Sequence, residues 1–214
     1  MTQPNFDAMF SDNEEFQQLL AQLSPEEQAH FKQEAATLLH EMENMFETFD
    51  NRTIHEKLST EILAQTSDQA LVLTVFDTLA AQAPQDLNET EYLATLSPEK
   101  RAVYVLYILA GEVDNGGFNQ YYYNTEAEAA AYLPEACELI GAPKYAELMR
   151  NANECYQKEG IAQRHDGSLE RFCDSYRDNP LQRYDDKFYI LEKGETLDTL
   201  LVRFIRNHPQ AFVG

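Results

Sequence analysis

The chain has 214 residues, 43% of them hydrophobic, and sets 37 acidic side chains against 16 basic ones for a net charge of −21. That length buries one substantial core, alone or with an appendage. The charge repels nucleic acid and anionic lipid, which argues against direct binding to either, and attracts basic partners.

Helix signals dominate the chain. Ser24-Pro25-Glu26-Glu27 reads as an N-cap, a proline at the first helical position and a glutamate closing a capping box. The helix it opens is expected to run to about Phe49. On a helical wheel Phe31, Leu38, Met42, Met45, Phe46 and Phe49 fall in an arc of ~100°, which predicts a buried stripe. Glu27, Glu34 and Glu41 border that arc on one side, and Glu43, Glu47 and Asp50 lie beyond the other. From Glu26 to Asp50 there are seven acids and one base, Lys32.

A short mixed helix follows over residues 54–65. Ser67 caps a segment through Ala83, and Pro84 and Asn88 mark a loop. Ser97-Pro98-Glu99 repeats the cap-and-proline signal before an apolar helix over residues 103–113. Val105, Leu106, Ile108 and Leu109 leave it little polar face, so it is expected to be central. Thr125 is placed to cap an alanine-rich helix over 126–140, with Pro134 breaking or restarting it. Gly141-Ala142-Pro143 reads as a C-cap and a new start, with a helix over 144–157. Residues 160–167 read as a loop and Ser168 as the cap of a helix ending near Arg177. Residues 185–191 are ambiguous, because Phe188, Tyr189 and Ile190 suit a short strand as well. A last amphipathic helix spans 195–207. The expected fold is all-α: a multi-helix domain over 66–214 with an acidic helical extension over 1–65. The extension carries 13 acids and 3 bases, nearly half the excess charge, which favours an interaction role.

Enzyme motifs are missing. The sequence contains no P-loop, dinucleotide-binding, zinc-protease or nucleophile-elbow pattern. Gly116-Gly117 follows Glu112 and Asp114, and no base lies between Arg101 and Lys144, so a phosphate would meet repulsion there. None of the five histidines stands four residues from another His or Cys, so no metal and no cofactor is expected. Cys137, Cys155 and Cys173 form no C-x-x-C, and packed, reduced thiols are expected. No stretch approaches the ~20 apolar residues of a membrane span, and the acidic N-terminus does not read as a signal peptide. A cytoplasmic location follows as the expectation.

Residues 111–124, GEVDNGGFNQYYYN, have a structural explanation. A glycine, or Asn115, can take the left-handed conformation that stops the preceding helix. Phe118, Tyr121 and Tyr122 then pack on the core, while Asn115, Gln120 and Asn124 satisfy loose backbone groups. The functional alternative is an exposed polar cluster of Glu112, Asn115, Gln120 and tyrosine hydroxyls.

The run Glu112, Val113, Asp114, Asn115, Gly116, Gly117, Phe118, Asn119, Gln120, Tyr121 resembles the E-V-[ND]-N-G-G-F-x-Q-[FY] signature of a bacterial family typified by a DNA-mimic protein. Ala136, Leu139, Ile140 and Gly141 resemble that family's helix ending in I-G-A. Asp185, Asp186, Lys187, Phe188 and Tyr189 resemble its D-D-x-F-Y segment, and Phe204-Ile205-Arg206 its closing helix. The resemblance spans roughly residues 90–210. It implies an acidic all-α domain that is not an enzyme and that occupies the DNA-binding surface of a basic DNA-binding protein, a transcription regulator being one such. Candidate phosphate surrogates are Glu26, Glu27, Glu34, Glu41, Glu43, Glu47 and Asp50 in the extension, and Glu126, Glu128, Glu135 and Glu138 in the core. A homodimer would lengthen these carboxylate rows. Alternatives are an immunity or antitoxin-like inhibitor of a basic toxin or nuclease, and a small-ligand binder using Glu112 to Gln120.

Overall fold

The computed structural model describes residues 14–158, 161 and 169–214; within helices, the side chains at 14, 15, 17, 41, 43–48, 50 and 169 also fall outside the description. Every regular element among the described residues is a helix, with no strand. They divide into two compact units, Met1–Thr53 and Ile54–Gly214. The division falls ahead of residue 65, because Leu58 and Leu63 are buried in the core of the second unit.

In the first unit a short α1 (Glu14–Leu20) turns into α2 (Pro25–Asp50). The capping box expected at its start is formed. Glu27 N donates to Ser24 Oγ at 3.3 Å, and Ser24 N donates back to the Glu27 carboxylate at 2.8 Å. The described part of the stripe expected to be buried is not: Leu38 is 58% exposed, Met42 40% and Phe49 46%, while the side chains of Met45 and Phe46 lie outside the described residues. Phe16 of α1 packs on its second turn, with its ring 6.1 Å from that of Phe31.

The second unit comprises α3 (Thr60–Gln65), α4 (Asp68–Ala81), α5 (Glu89–Thr95), α6 (Pro98–Asn124), α7 (Leu133–Leu139), α8 (Pro143–Lys158), α9 (Leu169–Ser175), α10 (Gln182–Glu192) and α11 (Leu197–Asn207). A single turn of 3₁₀ helix over Ala130–Tyr132 precedes α7, and another over Pro209–Phe212 follows α11. The central helix is α6, against which α4, α7, α10 and α11 pack. Its apolar run supplies Val103, Val105, Leu106, Leu109 and Val113, all out of solvent.

Several elements differ from expectation for local reasons. Asn88 starts α5 rather than lying in a loop: it forms a capping box with Glu91, the two bonds at 2.9 and 3.0 Å. Thr125 ends α6 instead of opening a helix, since Glu126 and Ala127 take positive φ and break the helical path. Pro134 takes the second of its two expected roles and restarts the helical path as α7. The ambiguous segment at 185–191 is the helix α10, which buries Tyr184, Asp185 and Phe188 on one side. Gly141, at φ +78°, closes α7 as expected, with Ala142 N bonding back to Cys137 O at 2.8 Å. Cys137 and Cys155 are buried, and burial pushes the Cys137 thiol up to about 12, whereas Cys173 is exposed. The loop expected over 160–167 and the cap at Ser168 fall outside the described residues, apart from the buried Ile161.

The last turn of α11 is tied to the start of the unit by Arg206. Its guanidinium donates to the carbonyls of Leu63 and Thr66, the latter at 2.6 Å, and to the Asp68 carboxylate at 2.6 and 3.0 Å. Those carbonyls belong to the end of α3, where a helix has no acceptors' partners of its own.

Candidate functional site

The glycine pair sits inside α6 and interrupts it without ending it. Gly116 has φ −157°, ψ 22°, and Gly117 has φ 74°, ψ −176°; helix resumes from Phe118 to Asn124. The Gly117 conformation is open essentially to glycine alone. A side-chain carbon there would also fall 2.6 Å from the Asp185 carboxylate.

An interruption strips backbone groups of their helical partners, and in a buried position each needs another. The C-terminal elements supply them. Asp185 of α10 accepts from Phe118 N–H at 2.7 Å. Tyr189, one turn further, donates to the carbonyl of Val113 at 2.8 Å, and Tyr176 beyond α9 donates to that of Gly116 at 2.8 Å. Asp185 is thereby the cap of the resumed helix, and its charge sits at the positive end of that segment. Burial nevertheless pushes its carboxyl up to about 6, with Asp186 adding to the rise and the Phe118 N–H opposing it.

The side chains of the motif mostly bond one another or pack. Phe118, Tyr121 and Tyr122 are buried in the core, as their spacing suggests. Buried Asn119 donates to Ser175 Oγ at 2.7 Å. Gln120 and Asn124 do not satisfy backbone groups; both donate to one oxygen of Glu112, at 2.9 and 2.7 Å, bridging the break from one helical segment to the other. Asn115 is exposed. Glu112 and Gln120 are therefore spent on each other, and the tyrosines at 121 and 122 face the core instead of solvent. Among the described residues no three His, Cys, Asp or Glu side chains gather to hold a metal.

The sequence ties Asp185 and Tyr189 to the glycine motif through the resemblance alone and marks neither Tyr176 nor Ser175. Their partners lie 56 to 76 residues away, beyond the reach of any local pattern. Two of the segments that carry the resemblance, 112–121 and 185–189, prove to be the two sides of one contact.

The candidate surrogates fall into different environments. Glu26, Glu27 and Glu34 are exposed on α2. The side chains of Glu41, Glu43, Glu47 and Asp50 lie outside the described residues. Glu126, Glu128 and Glu135 are exposed on the turn after α6 and on α7. Glu138 is exposed but ion-paired with Arg150. Glu128 accepts from the Thr90 hydroxyl at 2.9 Å and lies close enough to Glu89 to raise its carboxyl, after the larger effect of burial. Glu89 thus joins an acidic face that the sequence assigned to residues 126–138 alone.

An all-helical unit wound about one interrupted central helix, with exposed carboxylates on its outer turns, defines the class of acidic helical proteins. The chain belongs to the DMP19-like protein family, whose model matches residues 94–208, from α5 to the last turn of α11. Neither the comparison with curated proteins nor that with solved structures yields a match. No helix among the described residues is long and apolar enough to cross a membrane.

Proposed function

We propose that the protein is a non-enzymatic DNA mimic that binds a basic DNA-binding protein, such as a transcription regulator, and blocks its DNA-binding surface. The observation that carries this reading is membership of the DMP19-like family, a family of DNA mimics. The electrostatics support it. B-DNA offers one negative charge per ~1.7 Å of axis. Glutamates four and seven residues apart on a helix rise ~6 and ~10.5 Å from one another, a spacing a basic groove reader can match. With a net charge of −21, the chain draws such a partner over the same long range as DNA does.

Glu126, Glu128 and Glu135 are the surrogates we favour in the family-matched unit, with Glu89 beside them. Glu138, already held by Arg150, is the weakest of that group. Glu26, Glu27 and Glu34 on α2 are the described candidates of the extension. The test is affinity purification at low salt, followed by a mobility-shift competition between the captured protein and its DNA. Release of the DNA by the purified chain is expected. Capture of a regulator that stays on its DNA at saturating chain sinks the reading, and capture of a nuclease whose activity stops turns it into enzyme inhibition.

A further inference from the structure

A 26-residue helix that leaves Leu38 and Met42 in water has an uncovered face. The spacing of that face is specific. Phe31, Ala35, Leu38, Met42, Met45 and Phe49 follow one another in alternating steps of four and three, the heptad seam of a coiled coil. Phe16 covers the seam at Phe31, and Arg52 lies 3.6 Å over the Phe49 ring at the other end. Leu38 and Met42 lie between them.

The charges beside the seam select the occupant. With Ala35, Met42 and Phe49 at a and Phe31, Leu38 and Met45 at d, the g row is Glu27, Glu34 and Glu41 before it ends at Thr48. Glu27 and Glu34 are exposed, and among the described residues Glu34 has the His30 imidazole, 3.4 Å away, as its ion-pair partner. A second copy running antiparallel would set this glutamate row against its own image. A parallel copy would match Glu27 with Lys32 but leave the rows at 34 and 41 opposite Leu39 and Phe46. Each copy also brings a net charge of −21. A helix with its own apolar seam and a row of Lys or Arg beside it satisfies both features of α2.

We infer that α2 docks a basic amphipathic helix of another protein as one strand of a two-stranded coiled coil, seam on seam, with the partner's cations facing positions 27, 34 and 41. This goes beyond the mimic reading, which asks for carboxylates alone and can fail or hold independently.

The test uses the full chain and labelled synthetic peptides about four heptads long. One has Ile at a, Leu at d and Lys at e and g; the second scrambles the same composition; the third replaces Lys by Glu. Fluorescence anisotropy is expected to show the first peptide binding at least roughly tenfold tighter than the scramble, with the third not binding. Leu38→Glu with Met42→Glu should bring the first peptide down to the scramble, and Glu27→Lys with Glu34→Lys should weaken it and admit the third. Circular dichroism checks that each variant keeps its helix, and Leu38→Ala with Met42→Ala serves where the glutamates do not. Equal binding of ordered and scrambled peptides would mean plain charge attraction and overturn the inference, as would no binding at all. A dimer in sedimentation that Leu38→Glu with Met42→Glu turns into a monomer would assign the seam to a second copy instead.

Discussion

At the scale of single residues, the glycine pair and the aspartate facing it make one device. Gly117 has a positive φ and no room for a side chain against Asp185, so two penalties coincide. Gly117→Ala is expected to cost about 2–4 kcal/mol, read as a lowered urea midpoint with an unchanged m-value. A cost below ~1 kcal/mol would show that the break shifts easily. Asp185 makes a separate prediction, whose sign follows from its carboxyl lying near 6, above the ordinary 3.8. Above pH 6 the folded protein holds a buried charge that the unfolded chain keeps more cheaply. That penalty, up to about 3 kcal/mol, is relieved as the pH falls through 6 towards 4. Asp185→Asn keeps an acceptor for Phe118 N–H and cannot ionise. The stability of the wild type relative to this variant should therefore rise as the pH is lowered from 7.5 to 4. A difference independent of pH would contradict the raised carboxyl.

At the scale of elements, the ends of helices carry the argument. Arg206 closes the end of α3 from the far end of the chain, so Arg206→Ala leaves the carbonyls of Leu63 and Thr66 short of donors. A loss of about 2 kcal/mol is expected, with faster amide exchange in α3 and early α4 than in α8. Uniform acceleration would instead mean that Arg206 serves the whole unit. In the first unit Ser24→Ala removes the cap of α2 and is expected to lower its helicity by an amount equivalent to about 1 kcal/mol, measured at 222 nm. An unchanged signal would show that Pro25 and the acidic first turn suffice. These caps also mark what the sequence could tell. Ser24 and Ser97 announce their helix starts because cap, proline and glutamate lie within four residues, and Gly141 its helix end because glycine and proline lie within three. The central place of α6 was legible from its lack of a polar face. The start of α5 is spelled by the capping box of Asn88 and Glu91, but Pro84 four residues earlier gives the same stretch a loop signal. The clamp on Gly117 was illegible, because no local pattern links 117 to 185. The exposed stripe on α2 reads in sequence like any buried one, for periodicity reports which side is apolar and not what covers it.

At the scale of the whole molecule, charge decides the behaviour. Partner association should slow at least tenfold between ~0.05 and ~0.5 M salt, mostly in the on-rate measured by stopped flow. Changing Glu126, Glu128 and Glu135 to Gln should flatten that salt dependence if the family-matched unit makes the contact. The same change at Glu26, Glu27 and Glu34 should do so if the extension makes it. A partner whose rate ignores salt would exclude electrostatic mimicry by either face.

The broken central helix also bears on the order in which the chain takes shape. The groups that complete it lie 60 to 76 residues downstream of the backbone atoms they satisfy. Closing so long a loop adds little entropy over a shorter one, since each doubling costs only ~0.6 kcal/mol, but it needs that length of chain to exist. A nascent chain that stops ahead of α9 holds the glycines with nothing to fix them. The C-terminal third is therefore the template on which the middle of the protein acquires its bend, and truncation that reaches back through Tyr189, Asp185 and Tyr176 should release residue 117.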